Sequence, residues 1–310
     1  MKQSVQFLKA KKSHYVFILI LLALSLPVRA IPAELLVFYP EVRKPYTKIY
    51  QDIITGIRNA NPNNTVAIPI RAEENYETFI SAVKTNKPDS IVALGSGALE
   101  IALQIAPDVP IVAGAISRSS STTRGISMIV DPAVVINKLL LLDNNINHIH
   151  VVTDSSNKQD QLRAAIDYAQ SVNISFTVHE AKTIKAAASE YRNLLKNLGT
   201  HDAIWLMRDK ALNDTSLLSL ILETAWDRKI KVFSSNPTHV KRGALFSIYP
   251  NNTALGASLA RLANDTDSQT NAKFELKLLK DIYIAGNERT LRHLGLTQAN
   301  DTHQVLDNIL

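Results

Sequence analysis

The stretch Ser90–Ile116, SIVALGSGALEIALQIAPDVPIVAGAI, decides the fold class. Ser90–Leu94 and Pro110–Gly114 are short apolar runs in which polar residues do not alternate. Such runs suit parallel strands covered on both faces. Between them, Gly95-Ser96-Gly97 turns the chain and Ala98–Gln104 reads as helix. Strand, turn, helix and strand make up the repeating unit of parallel α/β sheets.

Outward from this unit the pattern recurs. Strands are predicted at Glu34–Tyr39, Thr65–Ile70 and Ile126–Val130, then at His148–Thr153, Ser175–His179, Ala203–Met207, Lys231–Phe233, Ala244–Ile248 and Asp281–Ile284. Helices are predicted at Tyr46–Ala60, Tyr76–Thr85, Pro132–Leu142, Leu162–Ser171, Ile184–Leu198, Leu212–Arg228 and Thr253–Leu262. Ile49, Ile53, Ile54 and Ile57 form the apolar stripe of the first of these helices. Asp131 is an expected N-cap with Pro132 at the first helical position, and Gly199 an expected C-cap after Leu198. The fold class is therefore α/β, with two doubly wound parallel-sheet lobes and a joint near Val130-Asp131-Pro132. The polar stretch Asn264–Asn271 reads as a surface excursion or a further crossing between lobes.

Charge and composition bound the function. The 310 residues carry 34 Lys and Arg against 28 Asp and Glu, a net charge of +6. Five of those basic residues (Lys2, Lys9, Lys11, Lys12 and Arg29) and no acidic ones lie in residues 1–30, so the remainder holds 29 against 28, a net +1. The basic start, the apolar run Tyr15–Leu26 and Val28-Arg29-Ala30 have the form of a secretory signal peptide cut before Ile31. The run falls short of the about 20 residues that span a bilayer. Residues 1–30 are thus expected to be a signal peptide, and the location periplasmic; an uncleaved anchor is the alternative. The nearly neutral remainder has no basic patch with interleaved aromatics, so no nucleic-acid partner is expected. The absence of cysteine excludes disulfides, thiolate metal sites, cysteine nucleophiles and lipid attachment through cysteine.

Catalytic patterns are missing. Gly95-Ser96-Gly97 lacks the third glycine of a dinucleotide loop and is not a nucleophile elbow. His148-x-His150 has no third ligand at metal-site spacing, so both are read as surface histidines with no metal or cofactor. No enzyme is expected. The strand ends do carry polar groups, and in open α/β sheets ligands bind beyond those ends. They include Tyr39; Gly95, Ser96 and Gly97; Ser117; Asp154; Asp209; and Ser234 with Ser235. Ser96 and Ser117, with backbone N–H groups at a helix start, suit a carboxylate. Asp154 or Asp209 suits an amine, although each also reads as a helix N-cap.

The segments IVALGSGALEIALQIAPDVPIVAGAI, AIWLMRDKALND, KVFSSNPTHVKRGALFSIYPNNTALGASLARLA and LRHLGL resemble the ABC transporter substrate-binding proteins of the tryptophan/tyrosine-type group. That resemblance implies a type I periplasmic-binding fold whose lobes close on ligand like a hinge. It implies lobe 1 at 31–130 plus 238–270 and lobe 2 at 131–237 plus 271–310. Tyr39, Gly95–Gly97 and Ser117 would come from the first lobe, Asp154 and Asp209 from the second, and Ser234-Ser235 from the return to the hinge. It implies a monomer that binds a small polar or zwitterionic, amino-acid-like ligand and hands it to a membrane permease. The alternative is a sensing subunit that reports to a membrane kinase or cyclic-nucleotide enzyme. Ile116-Ser117-Arg118 stands where the family often has Asp-Pro, and Arg208-Asp209-Lys210 is more charged than usual, which admits an acidic or larger ligand.

Overall fold

The structure is a computed structural model that describes residues 34–62, 64–71, 76–117, 123–209, 214–265, 275–296 and 306–309. The expected signal peptide lies outside these residues. Ala33–Leu310 form one compact unit, and no helix among the described residues is long and apolar enough to cross a membrane.

Thirteen strands are described: β1 Leu35–Pro40, β2 Thr65–Ile70, β3 Ser90–Leu94, β4 Ile111–Ile116, β5 Gly125–Val130, β6 His148–Thr153, β7 Ser175–Glu180, β8 Asp202–Leu206, β9 Lys231–Ser234, β10 Phe246–Pro250, β11 Leu276–Leu279, β12 Ile282–Gly286 and β13 Asn308–Ile309. The helices are α1 Tyr46–Ala60, α2 Tyr76–Asn86, α3 Ser96–Ile105, α4 Pro132–Leu142, α5 Gln159–Ser171, α6 Ile184–Asn197, α7 Thr215–Asp227, α8 Asn252–Asn264 and α9 Glu288–His293. They build two sheets, ordered β11-β5-β4-β3-β1-β2 and β13-β12-β10-β9-β8-β6-β7. Every pairing is parallel except β10 with β12.

Both sheets are buried on two faces. In β1, Leu35 and Val37 enter one apolar cluster, whereas Leu36 and Phe38 enter the other. In the second sheet Ile149 and Val151 face the side with α4 and α5, while Val152 packs with α6 and α7. This is why the strands read as continuous apolar runs. Asp131 caps α4 through Ala133 N–H at 2.9 Å, with Pro132 at the first position. Asp214 accepts from Ser216 and Leu217 N–H and starts α7 at Thr215, three residues after the expected Leu212.

Among the described residues three segments cross between the sheets. β5 leads through Asp131 into α4, β10 leads through Asn251 into α8, and β11 passes through Lys280-Asp281 into β12. The lobe boundaries expected from sequence need correction here. Residues 246–250 were expected with lobe 1 but pair with β9 in the second sheet, and Leu276–Leu279 pair with β5 in the first. Gly199 is corrected as well. It has no left-handed backbone, and its N–H donates to Asp202 Oδ2 at 2.7 Å while Leu198 ends α6 in extended geometry.

Two contacts allow direct tests of packing. Helices α1 and α8 meet glycine to glycine: a Cβ on Gly56 would strike the Thr253 carbonyl, and one on Gly256 the Ile53 carbonyl. Overpacking of this kind costs about 1–3 kcal/mol. Gly56→Ala is therefore expected to lower the urea midpoint clearly. Gly97→Ala, with nothing near its added carbon, should change it little.

In the second lobe, Lys231 Nζ lies 2.7 Å from Asp143 Oδ2, with side chains 8% and 4% exposed. Burial pushes the Asp143 pKa up, but the bond from Lys231 and the N–H of Asn145 outweigh it and hold the carboxyl below its usual value. A depressed folded pKa gives stability that is present above the unfolded value, near 3.8, and lost as pH falls through the folded value. Asp143→Asn should thus destabilise by ~3 kcal/mol at neutral pH, and the gap from the parent should narrow in urea titrations below about pH 4.

Candidate functional site

In a doubly wound sheet the ligand crevice opens where strand order reverses. That point lies between β1 and β3 in the first sheet and between β6 and β8 in the second. Most of the residues proposed from sequence sit at these two places.

At the first, Tyr39 and Pro40 end β1, and Gly95 follows β3 at φ +86°. That conformation favours glycine, and a Cβ there would come within 3.4 Å of Tyr50 Oη and 3.8 Å of Pro40 Cγ. Gly95 N–H is used by the Gly114 carbonyl at 2.8 Å. As N-cap of α3 it supplies no side chain, so the helix starts with no side-chain cap and with Ser96 and Gly97 exposed. The partial positive charge of an α-helix start favours an anion there. Ser117 is also exposed, just beyond β4. Burial raises the pKa of the Tyr50 phenol, which therefore stays neutral.

At the second point the structure draws Thr153, Asp154, Lys158 and Asp209 into one cluster. Asp209 Oδ2 accepts from Thr153 Oγ1 at 2.7 Å and from Asp154 N–H at 3.2 Å. Lys158 Nζ lies 3.1 Å from the same oxygen and donates to Thr153 Oγ1 at 2.8 Å and the Asp154 carbonyl at 3.0 Å. Asp209 is thus neutralised within its own lobe. Asp154 caps a 3-10 turn through Ser156 N–H at 3.0 Å. Bonds from the Ser156 hydroxyl and N–H hold its exposed carboxyl below the usual range. Beneath them, Tyr191 is fully buried and its hydroxyl has no hydrogen-bond partner. Burial, and then the Asp209 charge, push its pKa up, so the phenol stays protonated.

The two serines after β9 behave differently. Ser234 is 1% exposed, with Oγ held by His239 Nδ1 at 2.9 Å and by Asn236 N–H at 3.0 Å. It serves its own turn and offers nothing to a ligand in this structure. Ser235 is half-buried and accepts from the fully buried Trp205 Nε1 at 3.1 Å, which leaves its own proton to give. Lys158 and Tyr191 were not foreseen from sequence. For Lys158 the available signal was its place four residues after Asp154, at the start of α5. Arg118 and Lys210, the charged neighbours of Ser117 and Asp209, lie outside the described residues.

The family model described as ABC transporter substrate binding protein matches residues 46–266. The ligand-free, open structure of CD0873, a substrate binding protein with adhesive properties from Clostridium difficile, is similar at TM-score 0.59 and 17% identity, covering 89% of this chain and 99% of that one. Full-length LpoA from Haemophilus influenzae is similar at TM-score 0.51 and 10% identity, covering 76% of this chain and 51% of that one. A third similar structure is the ABC domain in complex with L-Trp from Streptococcus pneumonia, at TM-score 0.49 and 17% identity, covering 89% and 100%. No curated protein sequence matches the chain. The fold is of the type I periplasmic-binding kind.

The Lys158–Asp209 pair gives a test of the second strand-end cluster. Lys158→Met leaves the Asp209 carboxylate, whose side chain is 10% exposed, without its cation. It should cost about 1–3 kcal/mol in urea unfolding, below the value for fully buried pairs. Combining it with Asp209→Asn should recover part of that loss in a double-mutant cycle.

Proposed function

The chain belongs to the ABC transporter substrate-binding protein family, and from that premise we propose that it is a periplasmic solute receptor. It closes on a small polar or zwitterionic, amino-acid-like molecule and presents it to an ABC-type membrane permease. The observation that carries this reading is the pair of strand-order reversals, one in each sheet, in a chain whose sheets are joined by three crossings. Each reversal ends in polar groups, and their chemistry differs. The first offers donors: the uncapped start of α3, Ser96 and Ser117. The second offers the exposed carboxylate of Asp154 beside the neutralised Asp209–Lys158 pair.

A ligand carboxylate at α3 and a ligand amine at Asp154 would use both mouths. Charge-assisted bonds of this kind are the strong ones. The L-Trp in the pneumococcal structure is a molecule with both groups. A leader cut before Ile31 supplies export, and the chain then acts outside the cytoplasm as a monomer.

Melting curves of the protein with amino acids, short peptides and small anions test the reading. A ligand of micromolar affinity, about 8 kcal/mol, contributes ~2.7 kcal/mol at a hundredfold excess over its Kd. The corresponding rise in Tm is about 5–10 °C. Ser96→Ala should weaken that ligand about fivefold. Asp154→Asn, which keeps a capping side chain and loses the charge, should weaken it by about tenfold. Silence across the whole panel, or parental affinity in both variants, contradicts the proposal.

A further inference from the structure

Away from the strand ends, His148-x-His150 lies on β6, and the parallel pairing of β6 with β8 sets His148 opposite Asp202. No spacing rule anticipates a partner 54 residues on. His148, His150 and Asp202 each bring one ligand-type atom to within 4.8 Å of the others. Asp202 Oδ1 lies 3.6 Å from His150 Nε2 and 4.0 Å from His148 Nδ1. Two nitrogens and one carboxylate oxygen form a donor set for borderline divalent metals, whereas magnesium and calcium take oxygen alone. Tetrahedral coordination at about 2.0–2.1 Å places ligand atoms ~3.4 Å apart, so small side-chain rotations close the gaps.

A second observation points into the same space. His150 is 6% exposed, and its Nε2 is buried with no hydrogen-bond partner. Its other nitrogen, Nδ1, is engaged by His179 Nε2 at 3.2 Å. With the shared proton on Nδ1, Nε2 turns a lone pair toward Asp202. His148 repeats the arrangement, since its Nε2 bonds Thr177 Oγ1 at 2.8 Å and its Nδ1 faces Asp202. The far oxygen of Asp202 is held by Gly199 N–H at 2.7 Å. Each prospective ligand is thus oriented through its outer atom, the arrangement that fixes metal-binding imidazoles and carboxylates. Burial, and then the nearby His148, push the His150 pKa down to about 4, so the imidazole is neutral, as a ligand must be. The His148 side chain is 31% exposed, which leaves solvent access for a fourth, water ligand.

We propose that His148, His150 and Asp202 form a binding site for a divalent transition metal of the zinc type. The site lies toward the amino-terminal ends of β6 and β8, at the opposite end of these strands from the solute mouth. Its bonds would join two neighbouring strands of the second sheet in a chain without disulfides.

The test uses the compact unit Ala33–Leu310, free of any polyhistidine tag and stripped with a chelator. Zinc alone is titrated in competition with a chromophoric chelator. The proposal expects one equivalent bound at micromolar Kd or tighter, a rise of several degrees in Tm, and no response to magnesium. Cobalt in place of zinc should give visible absorption bands of a tetrahedral site. His148→Ala, at the more exposed ligand, and Asp202→Asn should each lose at least tenfold in affinity. Thr177→Val, which removes only the outer partner of His148, should lose less. The proposal is overturned if the parent takes up no zinc at micromolar concentration. It is overturned equally if folded His148→Ala and Asp202→Asn, verified by their melting curves, bind as the parent does.

Discussion

The fold depends on one short crossing at which the backbones of both lobes are tied together. β11 ends the first sheet at Leu279, and three residues later β12 begins in the second. On either side of this step the other two crossings are fastened to it. Asp131 N–H donates to the Leu279 carbonyl at 2.8 Å, and Asn251 N–H donates to the Asp281 carbonyl at 3.0 Å. The same two residues cap the helices that follow, Asp131 through Ala133 N–H and Asn251 through Ala254 N–H. Lys280 adds an ion pair to Asp131 at 3.7 Å. Caps and crossings therefore share their hydrogen bonds. The crossings thus meet at element ends, which is where hinge closure of two-lobed proteins places its backbone change.

Each mouth takes its chemistry from its own sheet. In the first lobe the donors lie at the start of α3, which no side chain caps, and on the exposed Ser96 and Ser117. In the second lobe side chains have already met one another. Thr153, Lys158 and Asp209 satisfy each other, and fully buried Tyr191 lies below them. In the proposed receptor, a solute between the lobes would meet open donors on one side and, on the other, the Asp209–Lys158 pair with Asp154 at its rim. That asymmetry fits a solute with distinct ends.

Much of this was legible in the sequence, because periodicity carries it. Strands such as β1, β3, β4 and β8 are apolar runs, and Asp131-Pro132 marks a helix start by the stereochemistry of capping. β11 escaped notice because its four residues, Leu276–Leu279, follow a long polar stretch and include Lys277. Without it, the lobe boundaries after residue 237 could not be drawn correctly. The site was legible in outline, since strand ends follow from strands. Side-chain partnership was not: Ser234 reads like Ser235 until the turn closes His239 and Asn236 around it. His148 and His150 read as surface residues for the same reason, since Asp202 reaches them only through strand pairing.

In the proposed receptor a small molecule lies between the Gly95–Gly97 turn and the ends of β6 and β8. The most direct measurement is a crystal structure of the protein purified from its own host, since a tight receptor retains its solute. The proposed receptor should show density for a small molecule touching Ser96 or the start of α3 on one side and the Asp154–Asp209 cluster on the other. Density for a bound solute elsewhere on the chain, with both strand-end sets untouched, would contradict it.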